Sequence, residues 1–191
     1  MPTIFHGSVI SWAHNQMLTK CLNGFFTVNE NQDLILGGNS RFGSFPHPWQ
    51  YIYKEPDLYI KQFWAAFPAI VFEAGYSKSY EKLLSDKDLW FIGAPQVNVV
   101  VLIQWSKVAN NRIRGFIELW RRATPGTQRI QIFPTPAPGT QSQSLTFFRQ
   151  DFYVGGIVPA GRQPLDPCPW DIDDLRRYAN EAIRAEGLVP E

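Results

Sequence analysis

Three charged residues in the middle of the chain interrupt patterns that otherwise predict buried structure. Asp57 follows Pro56 in the segment YIYKEPDLYIK, Glu73 comes at the end of the apolar run AIVFE, and Lys87 falls inside a helical pattern. Carboxylates are hard oxygen ligands of the kind that hold Mg²⁺, and a bound metal ion activates water for attack on a phosphoryl group. A nearby lysine would orient that water or stabilise the developing charge. Together these residue types suit metal-dependent phosphodiester cleavage, with Asp57 and Glu73 as ligands of Mg²⁺ or Mn²⁺.

Each of these residues also has a simpler interpretation when it is taken alone. An ionised Glu73 in a buried strand is costly unless it is paired, hydrogen-bonded or bound to metal; at a strand end it would reach solvent or an arginine instead. Asp57 stands in a Pro-Asp pair, which is common in turns. Lys87 lies three residues after Leu84 and four before Phe91, within an apolar helical stripe. A lysine there would either snorkel to water or find a carboxylate partner.

Hydrophobic patterning predicts the elements that must position these residues. The run VNVVVLIQW is nearly continuous in apolar residues, which is typical of a strand at the centre of a sheet. Apolar and polar residues alternate after the turn Ala109-Asn110-Asn111, which predicts a pairing strand. The predicted helices are Ser8–Leu22, Ser77–Phe91 and Trp170–Glu186, and the predicted strands are Phe25–Val28, Leu34–Leu36, Tyr51–Lys61, Ala69–Gly75, Val97–Trp105, Arg112–Arg121, Arg129–Phe133 and Leu145–Tyr153.

This order of elements predicts a single α+β domain over residues 1–191, with a central mixed sheet flanked by helices. We expect its core at about 51–133 and a C-terminal helix at about 171–186, with Asp171 as the N-cap. Composition agrees, because 45% of the 191 residues are hydrophobic and 15% are aromatic, which requires a packed interior. Two cysteines are too few for a disulfide scaffold or a cysteine-based zinc site.

Charge and hydropathy limit the partners and the location. Eighteen Lys and Arg against 17 Asp and Glu leave a net charge of +1, which excludes a broadly basic coat but allows a local basic patch. The densest basic cluster would contact phosphate or protect an edge strand. No apolar run approaches the roughly 18 residues of a membrane helix, and the N-terminal residues do not form a signal-peptide pattern. We therefore expect a cytoplasmic or nuclear protein with no membrane partner. The clustered residues are Arg112, Arg114, Arg121, Arg122 and Arg129.

The segments EPDLYI, PAIVFEAGYSKS and LLSDKDLWF resemble the PD-(D/E)XK nuclease-like superfamily. The resemblance is closest to small stand-alone restriction-endonuclease-like proteins of bacteria and filamentous fungi, and it covers roughly residues 51–122. The segments VVVLIQW and GFIELW are similar to the strands that come next in fungal members. One departure concerns the superfamily's lysine, which usually stands two residues after the glutamate, where this chain has Gly75. Related subgroups carry the lysine on the following helix, where Lys87 lies.

The resemblance implies a Mg²⁺-dependent nuclease, acting on DNA rather than RNA, with Asp57, Glu73 and Lys87 as catalytic residues. It also implies that the chain pairs with itself, since related nucleases commonly act as dimers. Four accessory roles are expected: His14 facing the metal pocket, Ser77 and Ser79 capping the helix, and Gln104 as a substitute for the missing lysine.

Two alternatives remain open at this point. If Lys87 does not reach the acids, the chain would be a catalytically inactive nuclease-like fold that binds nucleic acid or protein. A third hypothesis is an interaction protein that binds its partner through an exposed aromatic surface. That surface would be formed by Trp49, Phe63 and Trp64.

Overall fold

A computed structural model describes residues 4–76 and 79–191 of the chain. Within these residues it contains four α-helices, one seven-stranded mixed sheet and one two-stranded sheet, which confirms the predicted α+β class. No described helix has the length and apolar character that crossing a membrane requires. The helices are α1 (Ile4–Leu22), α2 (Val28–Asp33), α3 (Tyr80–Gly93) and α4 (Ile172–Ala185). The strands are β1 (Leu34–Gly37), β2 (Leu58–Gln62), β3 (Ile70–Gly75), β4 (Val99–Val108), β5 (Arg112–Arg121), β6 (Thr127–Phe133), β7 (Ser144–Phe148), β8 (Pro167–Asp171) and β9 (Val189–Pro190).

The large sheet follows chain order, β1-β2-β3-β4-β5-β6, and β9 adds a short pairing to β5. Neighbours along this path are antiparallel except β3 and β4, which run parallel. A parallel pair needs a crossover connection, and α3 provides it. The register places Glu73 opposite Leu102, and Leu102 in turn opposite Glu118, so these three residues form one row across the sheet.

The sheet has a core on each face, and β4 contributes to both. Val101 and Ile103 pack on one side with Trp12 of α1 and the interior of α4, while Val100 and Leu102 pack on the other side under α3. This explains the unbroken apolar run from Val99 to Ile103, because a strand segment that is covered on both faces needs apolar residues at every position.

Close packing fixes the residue type at one position of β5. A Cβ atom at Gly115 would come within 2.4 Å of the Trp105 ring, which lies over the glycine on the α1 side of the sheet. Atoms cannot approach this closely, so the Trp105 side chain requires a glycine on the neighbouring strand.

The structure corrects two predictions near the N-terminus and confirms one helix cap. The first helix begins at Ile4 rather than at Ser8, whose hydroxyl donates a hydrogen bond to the Phe5 carbonyl. The predicted strand Phe25–Val28 is wrong, because Thr27 forms a capping box with Glu30 and starts α2. At the other end, Asp171 is the N-cap of α4, as its sequence predicts.

Candidate functional site

Glu73 is a buried carboxylate that faces α3. Its side chain is only 3% exposed, since every residue of β3 is buried. The indole N–H of Trp90, itself fully buried, donates a 2.8 Å hydrogen bond to Glu73 Oε1. The amine of Lys54 lies 3.6 Å from the same oxygen. The charge of Glu73 is thus compensated inside the protein, as a buried carboxylate requires.

A second buried acid, Asp86, joins this arrangement from α3. Lys54 Nζ lies 2.7 Å from Asp86 Oδ1, and Lys82, one helical turn earlier, places its amine 3.0 Å from that atom. Lys54 is held by paired backbone hydrogen bonds to Phe42. Its side chain is 15% exposed, against 59% for Lys82. We call Glu73, Asp86 and Lys54 the acid–lysine cluster.

Asp57 lies against the strand that carries Glu73. Its Oδ2 accepts a 2.7 Å hydrogen bond from the backbone amide of Ala74, the residue after Glu73. Its Oδ1 lies 3.6 Å from Nδ1 of His6 on α1, and the side chain keeps a quarter of its surface exposed. The structure therefore brings the two predicted acids to the neighbouring ends of β2 and β3. The approach of His6 was not predicted, because no local pattern links the first helix to this strand end.

The structure does not place Lys87 with these acids. Its amine lies 2.5 Å from Asp88 Oδ1 and 4.7 Å from the centre of the Trp120 ring. The expectation that it pairs with Asp57 or Glu73 is wrong. The buried face of α3 runs through Asp86 and Trp90, among others, and Lys87 is rotated by about 100° from Asp86. The sequence interpretation left Trp90 out of the stripe and therefore centred it on the wrong side of the helix.

The predicted accessory residues differ in how far the structure agrees with their expected roles. Ser79 is the N-cap of α3, where its hydroxyl accepts a hydrogen bond from the Lys82 amide, so its capping role is confirmed. Ser77 lies outside the described residues. His14 is exposed on α1 and does not line the site. Gln104 is buried on β4 directly opposite Gly75, and its side-chain amide donates to the Trp105 carbonyl.

A cleft of about 630 Å³ opens beyond the N-terminus of α3, where the sheet extends past the helix. Glu118 is buried beside it and accepts hydrogen bonds from the Tyr80 hydroxyl at 2.8 Å and from Arg129 at 3.2 Å. Burial and this carboxylate raise the pKa of Tyr80 to about 12, so its hydroxyl stays protonated. The cleft is lined by Tyr76, Ser79, Tyr80, Gln104, Ser106, Lys107, Phe116 and Arg129.

Most members of the predicted arginine cluster have partners within the protein. Arg114 pairs with Glu191, Arg121 with Asp151, and Arg129 with Glu118. Arg122 donates to three backbone carbonyls at the end of α3 and the following turn. The cluster is therefore a set of separate contacts, and Arg129 is the member that also lines the cleft.

The aromatic surface is present in part. Phe63 and Trp64 are exposed in the turn after β2, whereas Trp49 is partly buried against the core under α3. The three predicted residues therefore differ in exposure, and Trp49 contributes to packing.

Comparisons with protein families, with curated proteins and with solved structures find no match to this chain. The geometry of the site is thus the basis for any functional assignment.

Proposed function

We propose that the protein hydrolyses phosphodiester bonds in nucleic acid, DNA in preference to RNA, with Asp57 and Glu73 as metal ligands and Lys54 as the active-site lysine. The observation that carries this proposal is the position of the Lys54 amine, 3.6 Å from Glu73, beside a strand end to which Asp57 is also tied. Lys54 takes the role first assigned to Lys87.

The donor set fits Mg²⁺ or Mn²⁺. Among residues 4–76 and 79–191, no group of three or more His, Cys, Asp or Glu side chains is arranged to hold a metal ion. Mg²⁺, however, is commonly held by only one or two carboxylates together with water and substrate phosphates. Asp57 and Glu73 would form such a pair, and Asp86 is the second carboxylate that, with Glu73, contacts the largely buried ammonium of Lys54. When bound, the metal would polarise a phosphoryl oxygen and lower the pKa of a water molecule.

The residues around the acids would hold the reacting groups in place. Trp90 fixes one oxygen of Glu73 through its indole N–H, and the Ala74 amide fixes one oxygen of Asp57. Asp86 orients the Lys54 amine, which would donate to a phosphate oxygen as negative charge develops there. His6 approaches Asp57 from α1, with Nδ1 3.6 Å from Oδ1, and would help to position that carboxylate.

A second candidate function is a catalytically inactive fold that binds nucleic acid or protein. The observation that favours it is the internal pairing of the acids, since Lys54, Lys82 and Trp90 already contact Glu73 or Asp86. Such a network would join β3 to α3 without any metal ion.

The test compares cleavage of end-labelled DNA in Mn²⁺ or Mg²⁺ by the wild type and by Asp57→Asn and Glu73→Gln. We expect each substitution to lower the rate at least about a hundredfold. Asp88→Asn is the control, because Asp88 is an exposed acid on α3 outside the acid–lysine cluster. Circular dichroism checks the fold, and calorimetric titration with Mn²⁺ reports metal binding without activity.

The outcomes separate the two functions. Equal cleavage by the wild type and both acid variants would refute the assignment of the site. A folded wild-type protein that binds no Mn²⁺ and cleaves no DNA or RNA would replace hydrolysis with the binding function.

A further inference from the structure

We propose that the cleft beyond the N-terminus of α3 binds one base of a single-stranded nucleic acid, stacked on the guanidinium of Arg129. This inference rests on the proposed function in one respect, because it takes the ligand to be nucleic acid. The inference adds that the protein prefers single strands to duplex, a preference that Asp57 and Glu73 do not set.

The first observation is the way Arg129 is held. Its guanidinium carbon lies 3.6 Å from the centre of the Phe116 ring, which is van der Waals contact, and a planar guanidinium reaches that distance by lying flat on the ring. Its Nη1 donates to Glu118, a carboxylate that is itself 2% exposed. Half of the Arg129 side chain remains exposed. We call this arrangement the Arg129 platform.

The second observation is the chemistry around the platform. Tyr76 and Tyr80 add aromatic surface to the cleft, and the exposed Lys107 adds a positive charge. Glu118, the acid behind the platform, is buried and already neutralised by Arg129, so the accessible charge of the cleft is positive. Proteins that bind single strands combine this kind of basic groove with planar side chains on which bases stack.

The third observation is the distance from the acids. Glu73 and Glu118 share a row across the sheet, and Arg129 stands opposite Glu118 on β6. With strands about 4.8 Å apart, Arg129 lies roughly 14 Å from Glu73 along this row. This separation corresponds to a few nucleotides of a single strand. In a duplex the bases are stacked on one another, and a base reaches such a platform only after it is unstacked.

The experiment measures binding by fluorescence anisotropy in EDTA, so that no metal and no cleavage contribute. The probes are a labelled oligothymidylate of about a dozen nucleotides, a length near the site sizes of single-strand-binding folds, and a duplex of equal length. Arg129→Lys keeps the charge but removes the plane. Its control is Arg177→Lys on α4, because Arg177 also lies over an aromatic ring, that of Tyr178, and pairs with an acid, but on the opposite face of the sheet.

We expect the single strand to bind more tightly than the duplex. Arg129→Lys should weaken single-strand binding about 5-fold to 100-fold, as the loss of one stacked base does, with an unchanged dependence on salt. Lys107→Gln should instead make the plot of log affinity against log salt concentration less steep, by about 0.7 in the magnitude of its slope. Arg177→Lys should bind as the wild type does.

Three results would overturn the inference: equal binding of single strand and duplex, equal affinity of Arg129→Lys and Arg177→Lys, or no binding of either probe. Cleavage in Mn²⁺ is scored separately. Tight single-strand binding that depends on Arg129, without any cleavage, would count against hydrolysis alone. Cleavage that persists while Arg129→Lys binds normally would count against the platform alone.

Discussion

Replacing Lys54 with methionine tests whether the buried acid–lysine cluster stabilises the fold through its ion pairs. Methionine keeps most of the apolar stem and removes the amine that lies 2.7 Å from Asp86 and 3.6 Å from Glu73. Both acids are at most 3% exposed, and breaking a buried ion pair from one side costs about 3–5 kcal/mol. Because Lys82 still contacts Asp86, we expect the lower end, about 3 kcal/mol. For a chain of this size that is a fall in Tm of roughly 6–12 °C.

Lys82→Met is the matched control. It removes an amine from the same oxygen of Asp86, but the Lys82 side chain is 59% exposed, and exposed ion pairs contribute at most about 1 kcal/mol. Urea unfolding at neutral pH, followed by tryptophan fluorescence, gives both changes in the free energy of unfolding. Equal losses for the two variants would refute the reasoning, since they would show that burial does not distinguish the two lysines.

Two further predictions concern other buried acids and donors. Burial opposes ionisation of Glu30, but the Thr27 amide and the charge of Arg149, among other contacts, hold its pKa below the ordinary 4.5. A lowered pKa stabilises the fold above the unfolded-state value, and that contribution is lost as pH falls below the unfolded-state value and through the folded one. Glu30→Gln should therefore lose less unfolding free energy than the wild type between pH 7 and pH 3, an interval that includes the unfolded-state value. Identical acid dependence in urea titrations would contradict this. Trp90→Phe removes the indole N–H that donates a hydrogen bond to Glu73. The variant should lose about 1.5–3 kcal/mol of unfolding free energy in the same assay. A variant as stable as the wild type would show that this hydrogen bond does not contribute to stability.

The sequence predicts the centre of the fold because its strands follow simple periodicities. β4 is apolar from Val99 to Ile103 and β5 begins with an alternating pattern, so both strands are found within three residues of their observed ends. The segment around Asp57 is less regular, and the observed strand is Leu58–Gln62, seven residues shorter at its start than the predicted strand Tyr51–Lys61. The predicted pairing of the chain with itself stays a prediction.

The sequence does not predict Lys54 as a residue of the site, and the reason is physical. Hydropathy assigns charged residues to the solvent face, but Asp86 is buried because Lys54 reaches it from a distant segment. With Asp86 buried, the face of α3 toward the sheet runs through Leu83, Asp86 and Trp90 and leaves Lys87 to one side. Lys54 itself lies outside the named strands, and an isolated β-bridge of backbone hydrogen bonds to Phe42 positions it. No local pattern contains either contact.

The parallel register of β3 and β4 makes the position of Gln104 relative to Gly75 a discrete quantity. Inserting one residue into β4 before Gln104 would turn that side chain to the opposite face of the sheet. Inserting two would restore its face and displace it along the strand by about 7 Å, which is two residues of strand rise. Substitutions can thus alter the chemistry of the cleft gradually, whereas the place of Gln104 in its lining changes only in steps of an even number of residues.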